Sequence, residues 1–324
     1  MQRYTRKLII GVAALTMTWL GAAVPSGAAD AYPSKPITMI VPYAPGGSLD
    51  VAARQLAVYM GKELKTSVII SNIPGAGGAI GNVKGYTAKP DGYTLIVWYT
   101  LPPLLEEYRK KVAYETSKFT PVAGIAIDYP ILVGHAEGPK NIGEFVKVAQ
   151  GQGANIGGNG QYSVTGLQGR LMAQELGMKV NWVNFGGAAE SLTSLAGKHL
   201  DAVATMTDSA RPLLKSGRII PLLVYAKKRS PKLPEVPVPG ELGFDFPLIS
   251  SYLGIVAPPG LDKAKVKTLE NAIAKAVAHP DYVAWREKVS TAEPAFMGAE
   301  PYRKEVERFA RIAEKYKSVL ANNN

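Results

Sequence analysis

The chain has 324 residues, 47% hydrophobic and 19% charged, with a formal net charge of +11. That length allows one large or two ordinary domains, and that composition excludes an intrinsically disordered chain. There is no cysteine, which excludes disulfides, thiolate zinc sites and a lipid anchor on cysteine.

At the N-terminus, Arg3, Arg6 and Lys7 precede a mostly apolar run, Leu8 to Leu20, and then the small residues of "GAAVPSGAADA". This is the order of a secretory signal, and the run falls short of the roughly 20 residues a membrane span needs. A signal peptide is therefore expected over residues 1–29, with cleavage between Ala28 and Tyr32. The mature protein is expected to be exported and soluble. Its basic balance favours small anionic ligands through long-range attraction. The longest basic run, Lys227-Lys228-Arg229, has no interleaved aromatics, so no nucleic acid partner is expected.

Strand and helix signals then alternate. "ITMIVPY" (37–43) reads as a strand, and "DVAARQLAVYMGKEL" (50–64) has apolar residues at helical spacing. "SVIIS" (67–71) is a second strand, "GGAIGNVKGYTAK" (77–89) a helix opened by glycines, and "DGYTLIVWY" (91–99) a third strand. That is βαβαβ, the unit of a parallel sheet covered by helices. The middle of the chain repeats it. Strands are expected in 129–135, 154–160, 179–185, 200–206 and 219–226, with helices in 141–150, 163–177, 188–199 and 209–217. "KKRSPKLPEVPVPGELG" reads as a surface loop. "SSYLGIVAPPG" gives a last strand, and two long helices close the chain near 262–278 and 301–320. The fold class is α/β, in two lobes. Residues 30–129 form the first part of lobe 1, 130–251 lobe 2, and 252–324 a return to lobe 1. A cleft between lobes suits a small ligand.

Three Gly-rich turns each follow a strand and precede a helix. In "PGGSLD", Pro45, Gly46 and Gly47 set the turn, and Ser48 or Asp50 can cap the helix. Exposed N–H groups at such a helix start favour an anion; a plain capped turn explains the same residues. In "NIPGAGGAIG" (72–81), Ala76, Gly77 and Gly78 sit at the turn. A dinucleotide fingerprint fits poorly there, because Ile80 stands where a glycine belongs and no acidic residue follows at the ribose distance. The third turn, 157–166, carries Asn159, Gln161, Tyr162, Ser163 and Thr165. These can be mere caps or can orient a carboxylate.

Magnitudes favour a clamp. Micromolar binding needs about 8 kcal/mol, and one helix end supplies at most roughly 2 kcal/mol. Several charge-assisted hydrogen bonds of about 1.5–3 kcal/mol each must converge. Catalysis is poorly supported. His135, His199 and His279 lie in unrelated contexts, and no zincin motif, nucleophile elbow or thiol occurs. The adjacent Glu106 and Glu107 read as solvated. Tyr43, Trp98, Tyr99, Tyr162 and Phe185 stand at or just past strand ends, where ligands gather in open α/β sheets. Core packing is the default for each, and pocket walls the alternative. Thr100, Gly186 and Asp208 complete the candidate set.

The segments "YPSKPITMIVPYAPGGSLDVAAR", "NIPGAGGAIGN", "PDGYTL", "FTPVAGI" and "RSPKLPEVPVPGELGF" together resemble the Bug or TctC family, the substrate-binding proteins of tripartite tricarboxylate transporters. The similarity runs from about Tyr32 to the C-terminus. It implies a two-lobed, type II-like periplasmic-binding-protein clamshell that holds a carboxylate and delivers it to membrane permease subunits, with no catalysis and no cofactor. It also implies that the turns at Pro45–Asp50 and Gly75–Gly78 hold one carboxylate through backbone N–H groups and waters. Gly157–Thr165 would then meet the ligand's other end. Two departures bear on ligand identity. Gly166 replaces the family's usual histidine, and "NFGG" (Asn184–Gly187) replaces Pro-Tyr-Lys-Gly, losing its lysine. Two rival readings stand beside this one: a nucleotide-using α/β enzyme built on Gly75–Gly81, and a subunit that presents ligand to a sensor kinase.

Overall fold

A computed structural model describes residues 32–46, 48–109, 111–158, 163–290 and 292–316. The chain separates into a short unit, Met1–Tyr32, and a large one, Pro33–Asn324. The expected signal peptide lies outside the described residues. Among the described residues, eleven strands form two sheets.

The first sheet holds β1 (Ile37–Val41), β2 (Val68–Asn72), β3 (Thr94–Tyr99), β4 (Thr120–Asp128), β10 (Ser251–Ala257) and β11 (Glu293–Gly298), in the order β11-β4-β10-β3-β1-β2. Strands β1, β2 and β3 run parallel; β10 is antiparallel to both β3 and β4. The second sheet holds β5 (Pro130–His135), β6 (Ala154–Gly158), β7 (Val180–Asn184), β8 (Ala202–Met206) and β9 (Ile219–Val224), in the order β7-β6-β8-β5-β9. The chain passes between sheets twice, through Tyr129 and through the residues before Ser251.

Helices α1 (Ser48–Leu64), α2 (Ala79–Tyr86) and α3 (Leu101–Arg109) follow β1, β2 and β3. Helices α5 (Val164–Glu175), α6 (Ala188–Ala196) and α7 (Thr207–Lys215) follow β6, β7 and β8. Each of these six therefore starts at the carboxyl end of a strand. Helix α4 (Ile142–Gly151) is fixed by Asn141, whose side chain accepts from Glu144 N–H at 2.9 Å, while Glu144 accepts from Lys140 N–H at 2.8 Å. Helix α5 is capped by Ser163, which accepts from Gly166 N–H at 3.0 Å. The C-terminal stretch forms α8 (Lys263–Ala278), α9 (Pro280–Val289) and α10 (Ala299–Lys315). Helix α8 packs on α1, and α10 packs on β4 and α3.

Four elements depart from the sequence expectation. Helix α3 is one: no element was expected there, and Pro102 and Pro103 stand in its first turn, where proline removes no intrahelical bond. Strand β4 is another. Pro121 and Gly124 mask its pattern, and register shifts in its pairing with β10 absorb the irregularity. Helix α9 and strand β11 complete the set, inserted between the two expected closing helices. His279 marks the boundary. Its Nδ1 accepts from Asp281 N–H at 3.3 Å, and Pro280 stands at the first helical position.

Apolar residues fill both lobes and also join them. Leu101, Leu104 and Leu105 of α3 cluster with Val164, Leu167 and Leu171 of α5, and with Phe309 of α10. This couples the helix after β3 in one sheet to the helix after β6 in the other. Among the described residues, no helix is long and apolar enough to cross a membrane.

Candidate functional site

The turn after β1 is organised by one buried carboxylate. Asp50 accepts from Gly46 N–H at 2.9 Å, from Arg54 Nε at 3.0 Å and from Asn72 Nδ2 at 2.9 Å. Asn72 also donates to Tyr43 O at 3.1 Å, which ties this turn to the end of β2. The Arg54 bonds hold the Asp50 carboxyl down at about 2, against the smaller opposing effect of burial. Asp50 thus shapes the turn. It also consumes the Gly46 N–H that the sequence reading assigned to a ligand.

The turn after β2 needs its glycines for two reasons. Gly75, Gly77 and Gly78 have φ of 127°, 70° and 101°, the left-handed region that suits glycine. Gly81 is required by close approach: a Cβ there would lie 2.7 Å from Ile73 O and 2.8 Å from Pro42 Cα. The glycine run therefore serves turn geometry and the seating of α2 on the sheet. Gly78 N–H is spent on Gly75 O at 2.9 Å.

The two turns meet. A Cβ on Gly78 would lie 3.3 Å from the Tyr43 ring, and one on Gly77 would lie 3.9 Å from Glu106 Oε1. Burial, aided by Glu106, pushes the Tyr43 phenol up to about 12. This corrects the solvated reading of the carboxylate pair. Glu106 sits against the glycine turn, and Glu107 accepts from Thr116 N–H at 2.9 Å and from its hydroxyl.

A cavity of about 170 Å³ gathers Gly46, Tyr99 and Asp208. Gly46 follows β1, Tyr99 ends β3, and Asp208 opens α7 after β8, so carboxyl ends of strands from both sheets reach one space. The sequence reading missed its other polar walls, Asp128, Arg286 and Ser290. Asp128 ends β4 and is 4% exposed. Thr207 Oγ1 donates to its Oδ1 at 2.5 Å, which joins the end of β4 to the start of α7. Burial, and then the charge of Asp208, push Asp128 up to about 7. Ser290 Oγ donates to Asp208 Oδ2 at 2.6 Å. Arg286 is buried and donates to Ile125 O at 3.3 Å and Ala292 O at 2.7 Å.

The remaining candidates are placed as follows. Thr100 is fully buried, and its hydroxyl bonds Tyr252 O at 3.2 Å and Tyr302 Oη at 2.8 Å. It belongs to the core rather than to the cleft, as does Trp98, whose Nε1 donates to Tyr302 Oη at 2.8 Å. Ser163 caps α5, its hydroxyl 3.0 Å from that of Thr165, which is buried. Phe185 packs into the second lobe's core, and Gly186 N–H donates to Glu190 Oε2 at 3.1 Å. Pro45 is exposed at the tip of the first turn. Gly47, Asn159, Gln161 and Tyr162 lie outside the described residues, as does the side chain of Ser48. No group of three or more His, Asp or Glu gathers to hold a metal among the described residues.

Two helix-covered sheets linked by two crossings, with helix starts from both converging on one cavity, define a two-lobed solute-binding protein. Residues 52–317 match the tripartite tricarboxylate transporter family receptor, TctC, and the chain belongs to that family. It is 32% identical over 302 residues to the UPF0065 protein in the gbd 5' region of Cupriavidus necator, covering 90% of each chain. It superposes on a TctC solute binding protein from Polaromonas with a TM-score of 0.78 at 28% identity, covering 89% of this chain and 99% of that one. MatC from Rhodopseudomonas palustris with bound malate gives a TM-score of 0.71 at 26% identity, covering 89% of this chain and 100% of that one. A second R. palustris protein, with adipate, gives 0.75 at 25% identity, covering 89% and 98%.

Proposed function

We propose that this receptor closes over a small carboxylate between its lobes and hands it to membrane permease subunits. The lobes would be residues 30–129 with 252–324, and residues 130–251. Export through the N-terminal segment would place the protein in the periplasm. The observation that carries the reading is one cavity that Gly46, Tyr99 and Asp208 reach from strand ends of both sheets. Helix starts supply positive ends there, and closure removes the water that weakens each bond. The structures with malate and adipate support a ligand of four to six carbons.

The donor inventory is narrower than the turns suggest. Gly46, Gly78 and Gly186 N–H groups are already bonded within the protein. Donors for a carboxylate would then come from other first-turn N–H groups of the helices at these strand ends. Titration calorimetry with four- to six-carbon di- and tricarboxylates and with aromatic carboxylates tests the proposal. Micromolar or tighter binding of at least one member is expected. No heat with any member contradicts it.

A further inference from the structure

The C-terminal end of α9 is held from the other sheet. Ser290 N–H donates to Arg286 O at 2.9 Å and closes the helix. The later carbonyls of a last turn have no partner within their own helix. Here cations take two of them. Arg211 Nη2, on α7, donates to Lys288 O at 2.7 Å, and Lys232 Nζ donates to Ser290 O at 2.6 Å. Positive charge suits this end of a helix. The bond from Ser290 Oγ to Asp208, at the start of α7, completes the bridge. Helix α7 packs on α6, β5, β8 and β9, whereas α9 packs on α8 and α1. The bridge thus joins elements of different sheets, by side chains of one reaching backbone carbonyls of the other. Asp208 and Ser290 line the cavity beside the first turn; Arg211 and Lys232 are not among its walls. The bridge stands directly behind two cavity walls, one from each sheet, and moving those walls apart breaks it.

Lys232 belongs to the Pro-rich loop after β9, and that loop is stapled in place. Ser230 is buried; its Oγ accepts from Lys232 N–H at 3.3 Å and its carbonyl from Leu233 N–H at 3.0 Å. Arg229 donates to Pro234 O at 2.8 Å and to Glu241 at 2.9 Å. Val236 and Val238 anchor the far side in the core of the second sheet. The ammonium is therefore presented from a preorganised support, which lowers the entropy cost of its bond.

Resting on the closure proposed above, we infer that Arg211 and Lys232 form a clasp on the end of α9, which holds the lobes closed without touching the ligand. The Pro-rich loop then carries an affinity determinant common to every ligand. Apparent affinity scales with the fraction of receptor in the closed form. Losing the clasp lowers that fraction by one factor, whatever the ligand's chemistry. A cavity wall such as Asp208 acts differently, because its loss changes which ligand is preferred.

Calorimetry and stopped-flow binding of the carboxylate panel to the mature protein test this. Arg211→Ala combined with Lys232→Ala is expected to weaken every member that binds by about fivefold to tenfold, equally for each, through faster dissociation. Lys228→Ala, on the same loop but lining the space away from the cavity, is expected to bind like the parent. An unchanged urea midpoint shows that the double variant folds. A second readout needs no ligand. The chain has no cysteine, so spin labels at Lys84→Cys on α2 and Lys147→Cys on α4, both exposed, report the distance between lobes. That distance is expected to lengthen in the double variant. Unchanged affinity, a loss confined to some ligands, or an unchanged label distance overturns the clasp and leaves the receptor reading standing. Binding of no panel member contradicts the receptor reading, and the label distance still decides the clasp.

Discussion

Two buried aspartates show how the same side chain takes opposite roles. Asp50 collects three strong donors, so its folded carboxyl lies at about 2, below the ordinary 3.8. It adds stability above the ordinary value, and that stability is lost as pH falls toward 2. Asp128 is desolvated beside Asp208 and lies at about 7. Its folded form prefers the proton, so stability declines as pH rises from about 4 to about 7. Melting temperatures measured against pH check both. Asp50→Asn is expected to flatten the acid limb and to lower stability at neutral pH by about 1.5–3 kcal/mol for the lost charged hydrogen bonds. Asp128→Asn is expected to remove the decline toward pH 7. Variant curves parallel to the parent's would contradict these assignments. Tyr302→Phe tests the buried network. Its hydroxyl serves Trp98 and Thr100, and its removal orphans the indole N–H, costing about 1–3 kcal/mol in urea unfolding.

The elements differ in how plainly the sequence announces them. Helix α4 carries an Asn cap, a Glu three residues on and an apolar stripe, so local signals and packing agree. Strand β4 does not, because its proline and glycine are accommodated only by partners distant in the chain. Its concealment also hid Asp128, whose place at a strand end is the signal that would have flagged it. Helix α9 has almost no amphipathic pattern to reveal it, and with it Trp285 and Arg286 stayed out of view. The turns were legible as turns. That their N–H groups are partly used internally was not, since the bonds of Asp50 to Gly46 and of Glu190 to Gly186 are local choices at four-residue spacing that a capped helix could make otherwise. The glycines of packing were equally silent. Gly254 faces Tyr302 so closely that a Cβ would collide with the phenol. Gly254→Ala is expected to destabilise by about 1–3 kcal/mol through overpacking, read as a lower urea midpoint with unchanged slope. An unchanged midpoint would show that α10 yields more readily than its burial implies.

At the scale of the molecule, the strands at the two crossings have two differently furnished faces. Ala126, Asp128 and Leu253 line the cavity with Gly46. The intervening Ile127, Tyr129 and Tyr252 line a separate space of about 480 Å³ with Lys227, Lys228 and Arg308. Alternation along the strands produces this division. The basic run singled out in the sequence therefore belongs to the face away from the candidate site. The account predicts that ligand recognition uses the first face, where turns from both sheets converge. The most direct measurement is a crystal structure with the tightest-binding member of the carboxylate panel. The ligand is predicted between the turns at Gly46 and Gly77 and the start of α7, in contact with both lobes. A ligand seated instead among Lys227, Lys228 and Arg308, or touching one lobe alone, would contradict it.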